Sequence, residues 1–583
     1  MANMFGDLYI GNSGIQGANN AINVVANNLS NVNTNGYVRQ QVLFSDTSYN
    51  KYGITPTATM EYGLGVRIAD VVHARDIFLD KSYRSESGRA AFYNTSSEVV
   101  KEVEDILQEG EGEAFSESIN DLWEAFQEYA KDPANTVNQN LVVQRAQLFM
   151  SRSYAAYEAL ESYQNTINAQ IRDDINRINE LGNIIHQCNL NIQKIEAGGI
   201  ETAMEQRDVR DAAVDELAKL ANIDVSEDAV GIYYVKIENV DFVDMGKVYP
   251  IAMKENYRTG YVDPYWPQLS DLPNEKYKDV FNTYNISAER RNEVGEVKAL
   301  LLARGEGSAN YLDLRGINSD QYDKGIGNSV LTNTEAEIDT LLHSMVTAIN
   351  DMFCPNKTFD GAAPITATDA TGKSYTIEPG KTLICDTEAC KQGSDGKVPP
   401  LELFTRIGVD RYTEVTDTNG NTYYLFNEED YNDPSKCYIL TSTRVNEGLI
   451  ANESLLAHIN KDGSVAYKWA EDIAALWSSN MKDYMTGENI TLNPSDLTPC
   501  NFNDFYTKLI GELGNNGTVF RSTGETLDNT VESIEYQRQQ IVGVSSDEEL
   551  SNMIQYQSAY NAASRYINVV SQMIEHIITT LGA

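Results

Sequence analysis

The chain has 583 residues, with 85 Asp and Glu against 45 Lys and Arg and a formal net charge of −40. That length is too great for one core and points to roughly three or four domains. So acidic a surface excludes a general nucleic-acid binder, which needs a basic face for phosphate.

The first predicted element is a heptad ladder. Leu8, Ile15, Ile22 and Leu29 recur every seven residues, with Gly11, Ala18, Val25 and Val32 three positions after each, the a/d spacing of a helix that packs on another helix. Residues 1–38 carry a single charged side chain, Asp7, among ten asparagines. Burial along this ladder alone does not offset the entropy of ordering its backbone, and Gly6, Gly11, Gly14 and Gly17 weaken it further. The termini are therefore predicted to be disordered in the free monomer and to fold on assembly. Gly11, Gly14 and Gly17, at steps of three, read either as helix weakness or as a smooth ridge for close helix approach. Asn33-Thr34-Asn35-Gly36 stops the helix. Asn27, Asn28, Asn31 and Asn33 are suited to capping it or to hydrogen-bonding between subunits.

Residues 37–80 alternate short apolar and polar runs (Tyr37, Val38, Val42, Phe44, then Val66, Ile68, Val71), as extended chain or a hairpin does. From about Asp76 to Leu220 the pattern is helical, interrupted at Asp132-Pro133. Ile171, Ile178, Ile185 and Ile192 stand at heptad spacing, with Leu181, Cys188 and Ile195 on the same face, which predicts a helix of roughly 30 residues. Between Ile223 and Ile286 the Tyr- and Val-rich composition predicts a small strand-rich excursion. Helical spacing returns at Val294–Leu302 and Ala336–Phe353. The Thr-, Gly- and Asp-rich stretch from Cys354 to Leu440 reads as an inserted β domain. Helices resume near Tyr467 and Leu476, and Leu527, Val531, Ile534 and Ile541 lead to a second ladder. There Met553, Tyr560, Ile567, Ile574 and Leu581 alternate with Tyr556, Ala563, Val570 and Ile577. Beyond Glu549 the only Lys, Arg, Asp or Glu residues are Arg565 and Glu575. Both chain ends are thus built to be enclosed by other protein.

Signals for chemistry are few. The five histidines are scattered, and no zinc-protease, nucleophile-elbow or phosphate-loop motif is present. Asp417-Thr418-Asn419-Gly420-Asn421, with Glu428, has the ligand spacing of a calcium loop, but Thr422 stands where that loop needs glycine, and a β-hairpin turn before Tyr423-Tyr424-Leu425-Phe426 fits better. Cys385 and Cys390, with Cys354 near in sequence, could bind a metal or form a bridge. Their spacing is not that of a zinc knuckle, and isolated thiols are the default. Nothing before Arg39 resembles a secretory signal, and no apolar run approaches the roughly 18 residues of a membrane span. The chain is expected to be no enzyme and to hold no cofactor or metal.

Ser13-Gly14-Ile15-Gln16-Gly17-Ala18, with Ala26-Asn27-Asn28-Leu29-Ser30-Asn31-Val32-Asn33-Thr34-Asn35-Gly36-Tyr37, resembles the N-terminal signature of the bacterial flagellar axial family of rod, hook and hook-associated proteins. Gly543-Val544-Ser545-Ser546-Asp547-Glu548-Glu549, followed by Tyr556-Gln557-Ser558-Ala559-Tyr560, resembles the matching C-terminal signature. The length, the helical run to Leu220 and Gln206-Arg207-Asp208 are most similar to the hook-associated branch. The resemblance covers roughly residues 1–222, 288–352 and 441–583.

It implies a structural component of the flagellum that assembles at the distal end of the hook and connects it to the filament. The implied partners are other copies of the chain in a ring, hook protein, hook-associated protein 3 with the filament side, and an export chaperone on the C-terminal helix, without nucleic acid or membrane. The implied location is extracellular, reached through the flagellar export apparatus. The expected fold is mainly α with β-rich insertions, elongated and discontinuous, its N- and C-terminal helices paired as a coiled coil. The expected domains are a terminal assembly domain (1–45 with 543–583), a mostly helical body (46–222 with 288–352 and 441–542), a strand-rich excursion (223–287) and an outer β-rich domain (354–440). The residues expected to carry subunit assembly are Leu8, Ile15, Ala18, Ile22, Val25, Leu29, Val32, Met553, Tyr556, Tyr560, Ala563, Ile567, Val570, Ile574, Ile577 and Leu581. Gly14, Ala18 and Ala563 would set the closeness of approach. Two alternatives stay open: another axial protein of the hook or rod, or a secreted adhesin or enzyme with its activity in the β-rich inserts.

Overall fold

The computed structural model describes all residues except 1, 35, 55–58, 109–114, 199–201, 285, 484–485 and 582–583, and leaves aside the side chains of 2–5, 50, 52–54, 59–60, 288 and 581. The chain starts with helix α1 (Ala2–Ser30), followed by strands β1 (Gln40–Asp46), β2 (Tyr49–Ile54), β3 (Thr59–Gly63) and β4 (Val66–His73). β1 pairs antiparallel with β4, and β2 with β3, so the four make one folded-back ribbon. The ribbon lies along α1: Val66 and Phe44 approach Gly17, and Tyr62 approaches Gly6.

Four helices follow: α2 (Ile77–Gln108), α3 (Phe115–Lys131), α4 (Thr136–Glu196) and α5 (Met204–Leu220). α4 runs for 61 residues, about twice the predicted length. The N-terminal half missed by the heptad count carries its own buried stripe of Val142, Ala146, Phe149, Ser153, Ala156 and Leu160, and no proline interrupts it. Asn135 caps the start, its side chain accepting from Val137 N. Ile171, Ile178, Ile185 and Ile192 are all fully buried, each worth about 1.5–3 kcal/mol in removed apolar surface. Ile195, near the end of the helix, is exposed.

Strands β5 (Ile223–Glu227), β6 (Tyr233–Ile237) and β7 (Val240–Val243) form a three-stranded sheet, and β8 (Ala252–Glu255) pairs with β9 (Val262–Tyr265). Their apolar faces join the main core through Val235, Phe242 and Trp266. Next come α6 (Glu296–Arg304), the short α7 (Tyr311–Leu314) and α8 (Ser319–Lys324), and α9 (Val330–Phe353). α9 is buried on nearly every side, so its polar residues need partners inside the protein. Glu335 accepts from Ala309 N, Asp339 from Tyr311 N and Leu440 N, and Asn350 bonds the backbone of Phe404.

The insert is built from β10 (Asn356–Thr358), β11 (Ile365–Thr368), β12 (Ser374–Ile377), β13 (Leu383–Cys385), β14 (Phe404–Arg406), β15 (Tyr412–Asp417), β16 (Thr422–Phe426) and β17 (Thr443–Val445). Six of them form an antiparallel sheet in the order β10-β13-β16-β15-β11-β12, over a small core of Phe359, Ile377, Val415 and Leu425, and β14 pairs with β17. The Asp417–Asn421 stretch is the hairpin turn between β15 and β16, where the Asp417 carboxylate accepts from Asn419 N and Asn421 N. The chain returns through α10 (Glu447–Ala451) and α11 (Tyr467–Ala474) to two long helices, α12 (Phe502–Val542) and α13 (Ser546–Leu581). α12 packs antiparallel on α2: Tyr506 reaches Leu107, Asn94 reaches Asp528, and Asp80 meets Arg538. The helical core therefore draws on both halves of the chain. Among the described residues no helix is long and apolar enough to cross a membrane.

Candidate assembly site

The two chain ends meet as an antiparallel helix pair. A Cβ on Gly11 would lie 2.5 Å from Ile567 Cγ1, and one on Gly14 would lie 3.2 Å from Ala563 Cβ. Absent side chains at these two positions let the backbones approach, while Gly17 turns to the ribbon instead. The ordering penalty reckoned for an isolated N-terminal ladder is offset here because α13 and the ribbon both supply burial to α1.

On α13 the heptad residues Met553, Tyr556, Ala563, Ile567, Ile574 and Ile577 are half-buried, Val570 is buried, and Tyr560 sits at the exposed edge. On α1, Ala18 and Val25 are buried and Leu8, Ile15, Ile22 and Leu29 half-buried. Val32 follows the end of the helix and is exposed. The side chain of Leu581 lies outside the described residues. Away from the seam, α13 also leaves the apolar side chains of Leu550, Ile554, Val569, Met573 and Ile578 exposed at separate positions around its solvent side.

A polar clasp holds the base of the pair. Asn28 is fully buried. Its amide nitrogen donates to Glu549 Oε2 at 3.0 Å and to Gln40 O at 2.9 Å. Its carbonyl oxygen accepts from Tyr37 Oη at 2.8 Å and Gln40 N at 3.0 Å. All four capacities of the amide are used. Arg39 completes the clasp through Nε to Glu549 Oε1 at 2.9 Å and through a guanidinium nitrogen to Glu548 at 3.1 Å. Burial, with the negative charges of Asp208 and Glu549, pushes the Tyr37 hydroxyl up to about 12, which keeps it a donor. The acidic run Asp547-Glu548-Glu549 also occupies the first turn of α13, where carboxylates suit the helix dipole. Asn27 and Asn31 bond each other at the end of α1.

Below the clasp lies a charge cluster that sequence reading missed. Arg75 pairs with Asp80 at 2.8 Å and with Asp211, Arg84 with Asp215 at 2.6 Å, and Arg538 with Asp80 at 2.7 Å and Asp215 at 2.5 Å. Three arginines thus balance three aspartates among α2, α5 and α12, where Arg39 N also bonds the last carbonyl of α12, Val542 O. Sequence offers no periodic signal for such a cluster. Beside it His73 faces Asp208 at 3.4 Å. Burial, aided by Arg75, drops His73 to about 4, and burial lifts Asp208 to about 7, so this contact is no ion pair at neutral pH. A cleft of about 1420 Å³, lined by Asn20, Asn23, His73, Arg84, Arg207 and Tyr233 among others, separates α1 from α5. The arrangement suits mechanical coupling: a charge-paired joint among α2, α5 and α12 carries the terminal helix pair.

Residues 100–362 match the model of the flagellar hook-associated protein FlgK helical domain, and residues 535–580 that of the flagellar basal body rod FlgEFG protein C-terminal region. The chain is 23% identical over 577 residues to flagellar hook-associated protein 1 of Bacillus subtilis (strain 168), covering 96% of this chain and 95% of that one. It is 22% identical over 592 residues to the protein of the same name in Salmonella typhimurium, covering 97% and 98%, and 20% identical over 583 residues to that of Escherichia coli K12, with the same coverage. Among solved structures it is similar to the flagellar hook junction protein FlgK from Burkholderia pseudomallei, with 12% identity, a TM-score of 0.48, and coverage of 79% of this chain and 99% of that one.

Proposed function

We propose that this chain, which belongs to the flagellar hook-associated protein family, is the hook–filament junction component, a structural protein that assembles at the distal end of the hook and connects it to the filament. The observation that carries this reading is similarity along nearly the whole length to relatives named flagellar hook-associated protein 1. The terminal helix pair suits the work. Its seam is closed within one chain, and beyond Glu549 the solvent side of α13 carries Arg565 and Glu575 as its only Lys, Arg, Asp or Glu residues, beside the exposed apolar side chains of Leu550, Ile554, Val569, Met573 and Ile578, a surface suited to contact with other protein.

In this reading Leu8 to Val32 and Met553 to Leu581 form the inner assembly layer, residues 46–222, 288–352 and 441–542 the helical body, and the units at 223–287 and 354–440 face outward. Neighbouring copies, hook protein, and hook-associated protein 3 with the filament side contact the terminal pair. Before assembly an export chaperone covers α13, and the chain passes through the flagellar export apparatus to the cell exterior. The role is one of binding and positioning, without catalysis. The test is decoration of purified hook ends followed by electron microscopy. The full chain is expected to cap the distal end, and a chain lacking residues 1–38 to leave it bare. Equal decoration by both would remove the role assigned to the terminal pair.

A further inference from the structure

We propose that Cys385 and Cys390 are a peroxide-oxidisable dithiol that closes into an intramolecular disulfide within the outer β-rich insert. Both side chains are buried, and their sulfurs lie 3.5 Å apart. A disulfide needs about 2.05 Å, so roughly 1.5 Å of approach, within reach of side-chain rotation, completes the bond. The other four cysteines are not arranged so: the Cys354, Cys437 and Cys500 sulfurs are directed at backbone carbonyls, and Cys188 stands in the core stripe of α4.

The backbone already holds the pair in register. Cys385 ends β13, and the intervening turn is closed by Ala389 N and Cys390 N, both donating to Asp386 O at 3.0 and 3.1 Å. That turn is tied to the exit of α9 by Asp386 N donating to Pro355 O at 2.8 Å, and by Lys357 pairing with the Asp386 carboxylate at 3.2 Å. Glu388 and Ala389 at its tip are exposed. Opening of this short surface turn gives a small neutral oxidant a path to the sulfurs. The hydrogen bond from Cys390, together with Tyr412 and Arg411 and against the opposing effect of burial, draws the Cys385 thiol below its usual range, which favours it as the attacking sulfur.

The chemistry balances with hydrogen peroxide as the oxidant. The Cys385 thiolate attacks one peroxide oxygen, the O–O bond breaks, and the departing hydroxide takes up a proton as water, leaving a sulfenic acid. The Cys390 sulfur then attacks the Cys385 sulfur. The S–S bond forms, the S–O bond breaks, and the hydroxyl leaves with the Cys390 proton as a second water. Two thiols and one peroxide give one disulfide and two waters, two electrons passing from sulfur to oxygen. The product locks the turn that seats the insert on the end of α9.

The test uses the full-length reduced protein treated with hydrogen peroxide, then denatured and alkylated. Titratable thiols are expected to fall from six to four. The tryptic peptide 382–391, which contains both cysteines, is expected to escape alkylation and to be lighter by two hydrogen atoms than its reduced form. A Cys390→Ser chain, which lacks the resolving thiol, is expected to accumulate a dimedone-reactive sulfenic acid at Cys385, and thiol reduction is expected to reverse the wild-type change. Six surviving thiols, a bridge mapped to Cys354, or a disulfide between two chains would each overturn the proposal.

Discussion

Asn28 and Glu549 stand 521 positions apart in the chain and share a 3.0 Å hydrogen bond in a buried pocket. One belongs to the asparagine-rich end of the first helix and the other to the acidic first turn of the last, so this contact fixes the register of the whole terminal pair. Replacing Asn28 with Leu leaves Gln40 N and Glu549 Oε2 each without a buried partner. The expected cost is about 1–3 kcal/mol for each unsatisfied group, read as faster amide exchange through the last turns of α1. Exchange unchanged from wild type would show that the clasp does not hold the pair.

Close packing at Gly11 makes a sharper test of geometry. Gly11→Leu places a side chain where even a Cβ lies 2.5 Å from Ile567, and overpacking of this kind costs about 1–3 kcal/mol or more. At Gly511 on α12 a Cβ meets nothing within 4 Å, so Gly511→Ala is expected to stabilise by about 1 kcal/mol through helix propensity alone. Opposite signs in the two unfolding midpoints are the outcome expected. Matching signs would mean that α1 and α13 are not in contact.

Arg538 holds two aspartates that come from the other half of the chain. Arg538→Ala takes one of two arginine partners from each aspartate, Asp80 keeping Arg75 and Asp215 keeping Arg84, and leaves three aspartates against two arginines in a mostly buried site, at an expected cost of about 1–3 kcal/mol. The loss should appear as early denaturant unfolding of the terminal pair and the adjoining ends of α2 and α12, with the insert unaffected. A loss below about 1 kcal/mol, the range of a surface pair, would mean that the cluster is solvated.

Burial pushes the Glu335 carboxyl up to about 8 from a usual 4.5, despite bonds from Ala309 N and Gln164. The unfolded chain therefore binds fewer protons there than the folded one between those values, so stability falls as pH rises across that window and levels off above it. Glu335→Gln keeps an acceptor for Ala309 N and removes the titrating proton. The variant is expected to be the more stable protein near pH 9 and to lose that advantage by about pH 4, by thermal melts at matched ionic strength. A wild type whose advantage grows with pH would contradict the assignment.

Much of the architecture is legible in residue order because it rests on local periodicity. Met553, Tyr556, Ala563, Ile567, Val570, Ile574 and Ile577 lie on the less exposed side of α13, with Ala563 and Ile567 against α1 and Tyr556 against Phe44 of the ribbon, and Ile171 to Ile192 mark the buried face of α4. The turn before Tyr423 is the hairpin between β15 and β16, and Gly420 supplies the positive φ of 86° within it. Val32 shows where periodicity overreaches. It keeps the seven-residue spacing, but the helix has ended at Ser30 and the side chain is exposed. Half of α4 was missed for a different reason: its buried stripe of Val142, Ala146, Phe149, Ser153, Ala156 and Leu160 keeps the same seven-residue spacing, but the small or polar members Ala146, Ser153 and Ala156 weaken the apolar signal.

The amino-acid order by itself determined the two apolar seams, the near absence of charge at both ends, and the alternation of long helices with Thr- and Gly-rich inserts, since each depends only on neighbours within a few turns of chain. The tertiary structure alone decided that the terminal helices run antiparallel, that Asn28 meets Glu549, that Arg538 bridges Asp80 and Asp215, and that six strands take the order they do. Those pairings close loops of up to hundreds of residues, and a charge or an asparagine in a sequence carries no mark of which distant partner will satisfy it once water is removed.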